Sequence, residues 1–171
     1  STTGVISATD VVLRSTLNNG NIDAGATIQA TASLALQTHG SGNVSQSAGV
    51  FQAASLDLRS TTGSFSGSAS ARDRAVPNRA RNTGGAGNAF ISEANAIGID
   101  SSVVGGTFEL RVPGGTTTNA NVTANRFTLF TPSLTSNFAV AGPTAIRIEN
   151  TGNLTVAGTG SLTSADISMV S

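Results

Sequence analysis

The chain has no cysteine, no lysine, no tryptophan, no tyrosine and one methionine in 171 residues. Without cysteine there is no disulfide framework and no thiolate metal site. Without lysine the nine basic residues are all arginine, balanced by nine acids, so the net charge is zero. A nucleic-acid partner needs a basic patch over much of the surface and is not expected. Charged residues are only 11% of the chain, which argues against a disordered polyampholyte. No apolar run approaches the ~20 residues that span a bilayer as a helix, so no membrane span is expected. The opening Ser1-Thr2-Thr3-Gly4 lacks a charged-then-apolar leader, and the chain reads as a segment of something longer.

What remains is small and polar. Ser, Thr, Gly, Ala and Asn make up well over half of the chain, against seven Phe. A broad globular core needs more large apolar side chains than this. A narrow tube lined by a few Leu, Ile, Val and Phe per turn does not, because each repeat buries its face on its neighbours.

A repeat of that kind is present. Pairs of large apolar residues one apart recur at Val11/Leu13, Leu34/Leu36, Leu56/Leu58, Ile97/Ile99, Phe127/Leu129, Ile146/Ile148 and Ile167/Met169. Residues one apart on a strand share a face, so each pair points inward while the residue between, such as Asp57 or Arg147, points outward. Helical spacing does not recur. Most anchors stand near 20 residues apart, and the gap from Leu56 to Ile97 spans two units. A second apolar site follows about ten residues later, at Ile22, Val44, Phe65, Phe108/Leu110, Phe138/Val140 and Leu154/Val156, usually after a Gly or Asn turn. The expected fold is all-β: a right-handed parallel β-helix of about eight coils of roughly 20 residues, forming one unit over 1–171. Gly20, Gly40, Gly42, Gly63, Gly114, Gly115 and Gly152 are expected at corners, and Pro77, Pro113, Pro132 and Pro143 outside the anchor pairs.

The runs Gly42-Asn43-Val44-Ser45-Gln46 through Leu56-Asp57-Leu58 and Asn150-Thr151-Gly152-Asn153-Leu154-Thr155-Val156 resemble the filamentous-haemagglutinin-like repeats of large secreted bacterial adhesins. The resemblance implies a β-helical shaft of a two-partner-secretion exoprotein, outside the cell or on its surface, that displays binding regions located elsewhere. It implies no catalysis and no cofactor.

The repeat is weakest from about 68 to 90, which reads as an irregular Arg-rich insertion carrying Arg72, Arg74, Arg79 and Arg81. Clustered guanidinium groups match the oxygens of sulfated or acidic glycans, so host or matrix glycans are candidate partners. The plainer reading is a solvated insertion over one face. His39 is the sole histidine, in an expected turn, where an exposed role outweighs catalysis. A polysaccharide-cleaving β-helix would draw its paired carboxylates from Asp57, Asp73, Glu93, Asp100, Glu109 and Glu149. Asp57/Arg59, Glu109/Arg111 and Arg147/Glu149 read instead as outward ion pairs. Finally, the run Ile167–Ser171 followed by Ser1–Ile6 echoes Leu56–Phe65, so neighbouring coils or further copies stacked end to end are expected partners.

Overall fold

A computed structural model describes residues 4–71, 76–82, 86–93 and 95–171. All nineteen strands among them join one sheet, every pairing in it is parallel, and no described residue is helical. The first coils comprise β1 (Ile6–Asn18), β2 (Ile22–Ala24), β3 (Ile28–His39), β4 (Val44–Gln46), β5 (Phe51–Ala53) and β6 (Ser55–Ser60). The middle comprises β7 (Phe65–Ala71), β8 (Val76–Asn82), β9 (Ala89–Glu93), β10 (Ile97–Ile99) and β11 (Ser102–Arg111). The last coils comprise β12 (Thr116–Thr118), β13 (Val122–Thr131), β14 (Leu134–Ser136), β15 (Ala139–Gly142), β16 (Ala145–Asn150), β17 (Leu154–Val156), β18 (Ser161–Ser164) and β19 (Ile167–Val170). The chain is a parallel β-solenoid.

The coil length is read from one unbroken register column: Ile22, Val44, Phe65, Ala89, Phe108, Phe127, Ile146 and Ile167, spaced 19 to 24 residues apart. The column thus has eight rungs separated by seven turns, in agreement with the roughly eight coils expected. Strand alternation sets which side chains enter the tube: Leu34, Leu36, Leu56 and Leu58 are buried, and the residues between them face out. One small residue interrupts the large ones of this column. Ala89 sits between Phe65 and Phe108, and Phe108 meets Phe127 edge-on at 5.6 Å between centroids.

The apolar pairs do not form a single column. Val11, Leu34 and Leu56 continue through Asn78, Ile99, Thr118 and Ser136 to Val156. Phe127, Ile146 and Ile167 instead continue the column of Ile22, Val44 and Phe65, residues expected on the second face. The cause lies in the middle of the chain. The short rungs β4 and β5 both pair with the long β7, so two faces fuse into one. The long β8 then pairs with β10 and with the start of β11, so one face splits into two. The large pairs at Phe127 and Ile146 therefore stand on a different face from those at Val11, Leu34 and Leu56.

This also accounts for residues 68–90, read from sequence as an irregular insertion. Residues 72–75 and 83–85 lie outside the described residues, but β8 pairs with β6 on one side and β10 on the other and is a rung of the solenoid. Pro77 lies within that strand, just ahead of Asn78, where pairing with β6 begins.

Corners are held by side chains that accept from the next coil. Asn21 Oδ1 accepts from the Asn43 amide at 2.8 Å, Asn43 Oδ1 from the Ser64 amide at 2.8 Å, Ser64 Oγ from the Asn88 amide at 3.1 Å, and Asn88 Oδ1 from the Thr107 amide at 2.7 Å. The ladder gives partners to amides that the strand pairing leaves over. Beside it, a Cβ on Gly42 would strike the Gly20 carbonyl and one on Gly63 the Gly42 carbonyl, so close approach requires glycine there. The interior of the later coils is partly polar: Thr116 and Thr131 hydroxyls lie 3.0 Å apart, and Ser136 donates to the Phe138 carbonyl at 3.0 Å. These groups are buried and bonded, which removes most of the cost of enclosing them.

Phe127→Ala should destabilise the fold by about 3–5 kcal/mol, since the ring is buried between Phe108 and Ile146. Asn43→Ala should cost about 1 kcal/mol by orphaning the Ser64 amide, and the exposed Thr123→Ala less than about 0.5 kcal/mol. Chemical denaturation of the three variants checks this order.

Candidate functional site

The rungs β9, β11, β13, β16 and β19 present two outward columns. One runs Phe90, Glu109, Thr128, Arg147, Ser168; its neighbour runs Ser92, Arg111, Phe130, Glu149 and ends at Val170. Alternation on a strand puts residues two apart side by side, which is why ion pairs form within β11 and within β16. Arg111 Nε donates to Glu109 Oε1 at 2.8 Å, and Arg147 Nε to Glu149 Oε1 at 2.7 Å. On β6 Arg59 makes the same pairing with Asp57, at 2.6 and 2.8 Å. The hydrogen bond to Asp57, and then its charge, hold the Arg59 guanidinium above the usual arginine range.

The second column floors a groove of about 590 Å³ that crosses successive coils along the rod axis, walled by Pro113 and Pro132 at the corner. Within it the Arg111 guanidinium lies 3.9 Å from the centre of the Phe130 ring, a cation–π contact between neighbouring coils. The ring face toward Arg111 is thus covered, and the guanidinium is the polar surface offered there. Glu109 and Glu149 are each engaged by an arginine of their own strand.

The other acids are scattered. Glu93 is 2% exposed, and its Oε1 accepts from the Asn95 amide at 3.4 Å. Asp100 Oδ1 accepts from Asn119 Nδ2 at 3.4 Å. Asp73 lies outside the described residues, as do Arg72 and Arg74. Arg79 and Arg81 are placed on β8 by backbone register, beside Asp57 and Arg59 of β6. His39 is exposed at the end of β3, beside Asn18. Among the described residues no three His, Cys, Asp or Glu side chains group as metal ligands, and no helix is long and apolar enough to cross a membrane.

Sequence reasoning did not find the Arg111–Phe130 pair. Its signal was the 19-residue spacing, one coil, but only the correct column makes those residues neighbours. No protein-family model, curated protein or solved structure matches the chain.

The in-strand pair Arg147–Glu149 is well exposed, so Arg147→Ala should shift stability by no more than about 1 kcal/mol. Denaturation curves of wild type and variant should converge further at high salt, where exposed charges are screened.

Proposed function

We propose that the chain is a structural shaft or spacer segment of a large secreted bacterial surface adhesin, with no catalysis of its own. The observation that carries this reading is the column from Ile22 to Ile167, which passes through every coil without a break. At ~4.8 Å per coil it spans roughly 34 Å of rod. A solenoid of this kind converts sequence length into reach at a fixed cross-section. The low charge and the small, hydroxyl-rich outer face suit a spacer, and the filamentous-haemagglutinin-like repeats supply the cell-surface setting. Binding of an acidic glycan is the second reading, favoured by the groove that places Arg111 over Phe130.

Antibody raised against the segment should label intact cells of the producing bacterium; labelling only after permeabilisation overturns the surface assignment. The purified chain should neither bind acidic polysaccharides nor release new reducing ends from them. Binding that Arg111→Ala abolishes would replace the spacer reading with the second one, and product release would replace it with an enzyme.

A further inference from the structure

Four ionised side chains stand at the corners of one rectangle on the flank of the rod. β11 carries Glu109 and then Arg111; β16, two coils on, carries Arg147 and then Glu149 in the same two columns. Thr128 and Phe130 of β13 lie between them. Each charged rung holds one acid and one arginine, so exchanging the two columns sets acid against arginine at all four corners. The face is complementary in charge to a turned copy of itself.

Its relief agrees. The second column, Arg111, Phe130 and Glu149, floors the groove of about 590 Å³, with Pro113 and Pro132 along its far side. The first column, Glu109, Thr128 and Arg147, lines no part of that groove and runs beside it as a rim. Rim and groove are both straight, because both follow columns that cross successive coils.

We propose that a second copy of this chain fills the groove, lying flank to flank with the first, the two rods parallel and related by a two-fold axis along their length. That operation exchanges the columns and keeps the rungs level. It seats the rim of each copy in the groove of the other, Glu109 on Arg111, Thr128 on Phe130 and Arg147 on Glu149. Each in-strand ion pair then joins its counterpart in a square of alternating charge. The Arg111 guanidinium, held 3.9 Å from the centre of the Phe130 ring, is already placed to meet the incoming Glu109. A copy running the opposite way also matches charges, Glu109 on Arg147 and Arg111 on Glu149. It sets groove on groove and rim on rim, however, and leaves both grooves unfilled. Shape therefore selects the parallel pair. The contact is isologous, so association closes at a dimer. Rungs about 4.8 Å apart and about 15 Å wide give the five rungs from β9 to β19 roughly 360 Å² per partner, about half of the ~800 Å² of a stable interface, so one segment associates weakly.

The test is sedimentation equilibrium of the whole chain up to about 1 mM, where an association this weak populates the complex. The mass of wild type should rise toward that of a dimer and no further, and the rise should be lost in about 1 M salt, which screens the facing charges. The double variant Glu109→Arg/Arg147→Glu sets like charges against each other in the parallel pair and should stay monomeric, as should Arg111→Glu/Glu149→Arg. An equal mixture of the two restores opposite charges at every corner and should form the heterodimer. These side chains all point outward, so circular dichroism of both variants should match wild type. Wild type that stays monomeric over the whole range overturns the proposal. So does association that survives in both variants, which places the contact on another surface. Glu109→Arg/Arg147→Glu that pairs with itself overturns it too, because only rods running in opposite directions match charges in that variant. Surface labelling of cells reads the shaft assignment independently of each result.

Discussion

Everything in this molecule depends on parallel pairing of each rung with the rung one coil away. A parallel strand cannot reach its partner through a tight hairpin, so the chain must travel a full circuit between rungs. The circuit of 19 to 24 residues is therefore a geometric requirement, and the side chains on each rung are judged against the residue above and below. Columns follow from this. Phe108 packs on Phe127, Asn43 reaches the amide of Ser64, and Gly63 leaves room for the Gly42 carbonyl.

The same constraint explains what was legible in the sequence. Leu34/Leu36 and Leu56/Leu58 announce parallel rungs because their period of two, and their separation by one coil, survive in any register. The face to which a pair belongs did not survive. Phe127/Leu129 look like the next copy of Leu56/Leu58, yet they stand on the column of Phe65, because β7 fuses two faces and β8 leads into a split one. Nothing local in the sequence marks a change of cross-section, which shows only as a weakening of the pattern. That weakening, between about 68 and 90, was read as an insertion. Thr116, Thr118 and Ser136 were illegible for another reason. They occupy interior positions as polar residues, which is tolerable only because neighbouring hydroxyls and carbonyls meet them across coils.

The candidate site was harder to see than the fold. Ion pairs such as Glu109–Arg111 are visible as residues two apart on a strand, and the structure holds them where that spacing puts them. Arg111 over Phe130 and the groove beside Pro113 and Pro132 join residues a coil apart, and such neighbours emerge only once the column is known.

Column stacking also bears on charge. A charge repeated in every coil would face its like at about 4.8 Å, worth about 1 kcal/mol of repulsion in water and several times that near a low-dielectric surface. The two outer columns through β11, β13 and β16 avoid this by interposing neutral residues and changing sign, Glu109, Thr128, Arg147 in one and Arg111, Phe130, Glu149 in the next, whereas Arg59 and Arg81 stand side by side on β6 and β8. The rungs β11 and β16 then neutralise themselves sideways, each through a pair within the strand. A chain built on this rule carries few charges and little net charge, as this one does.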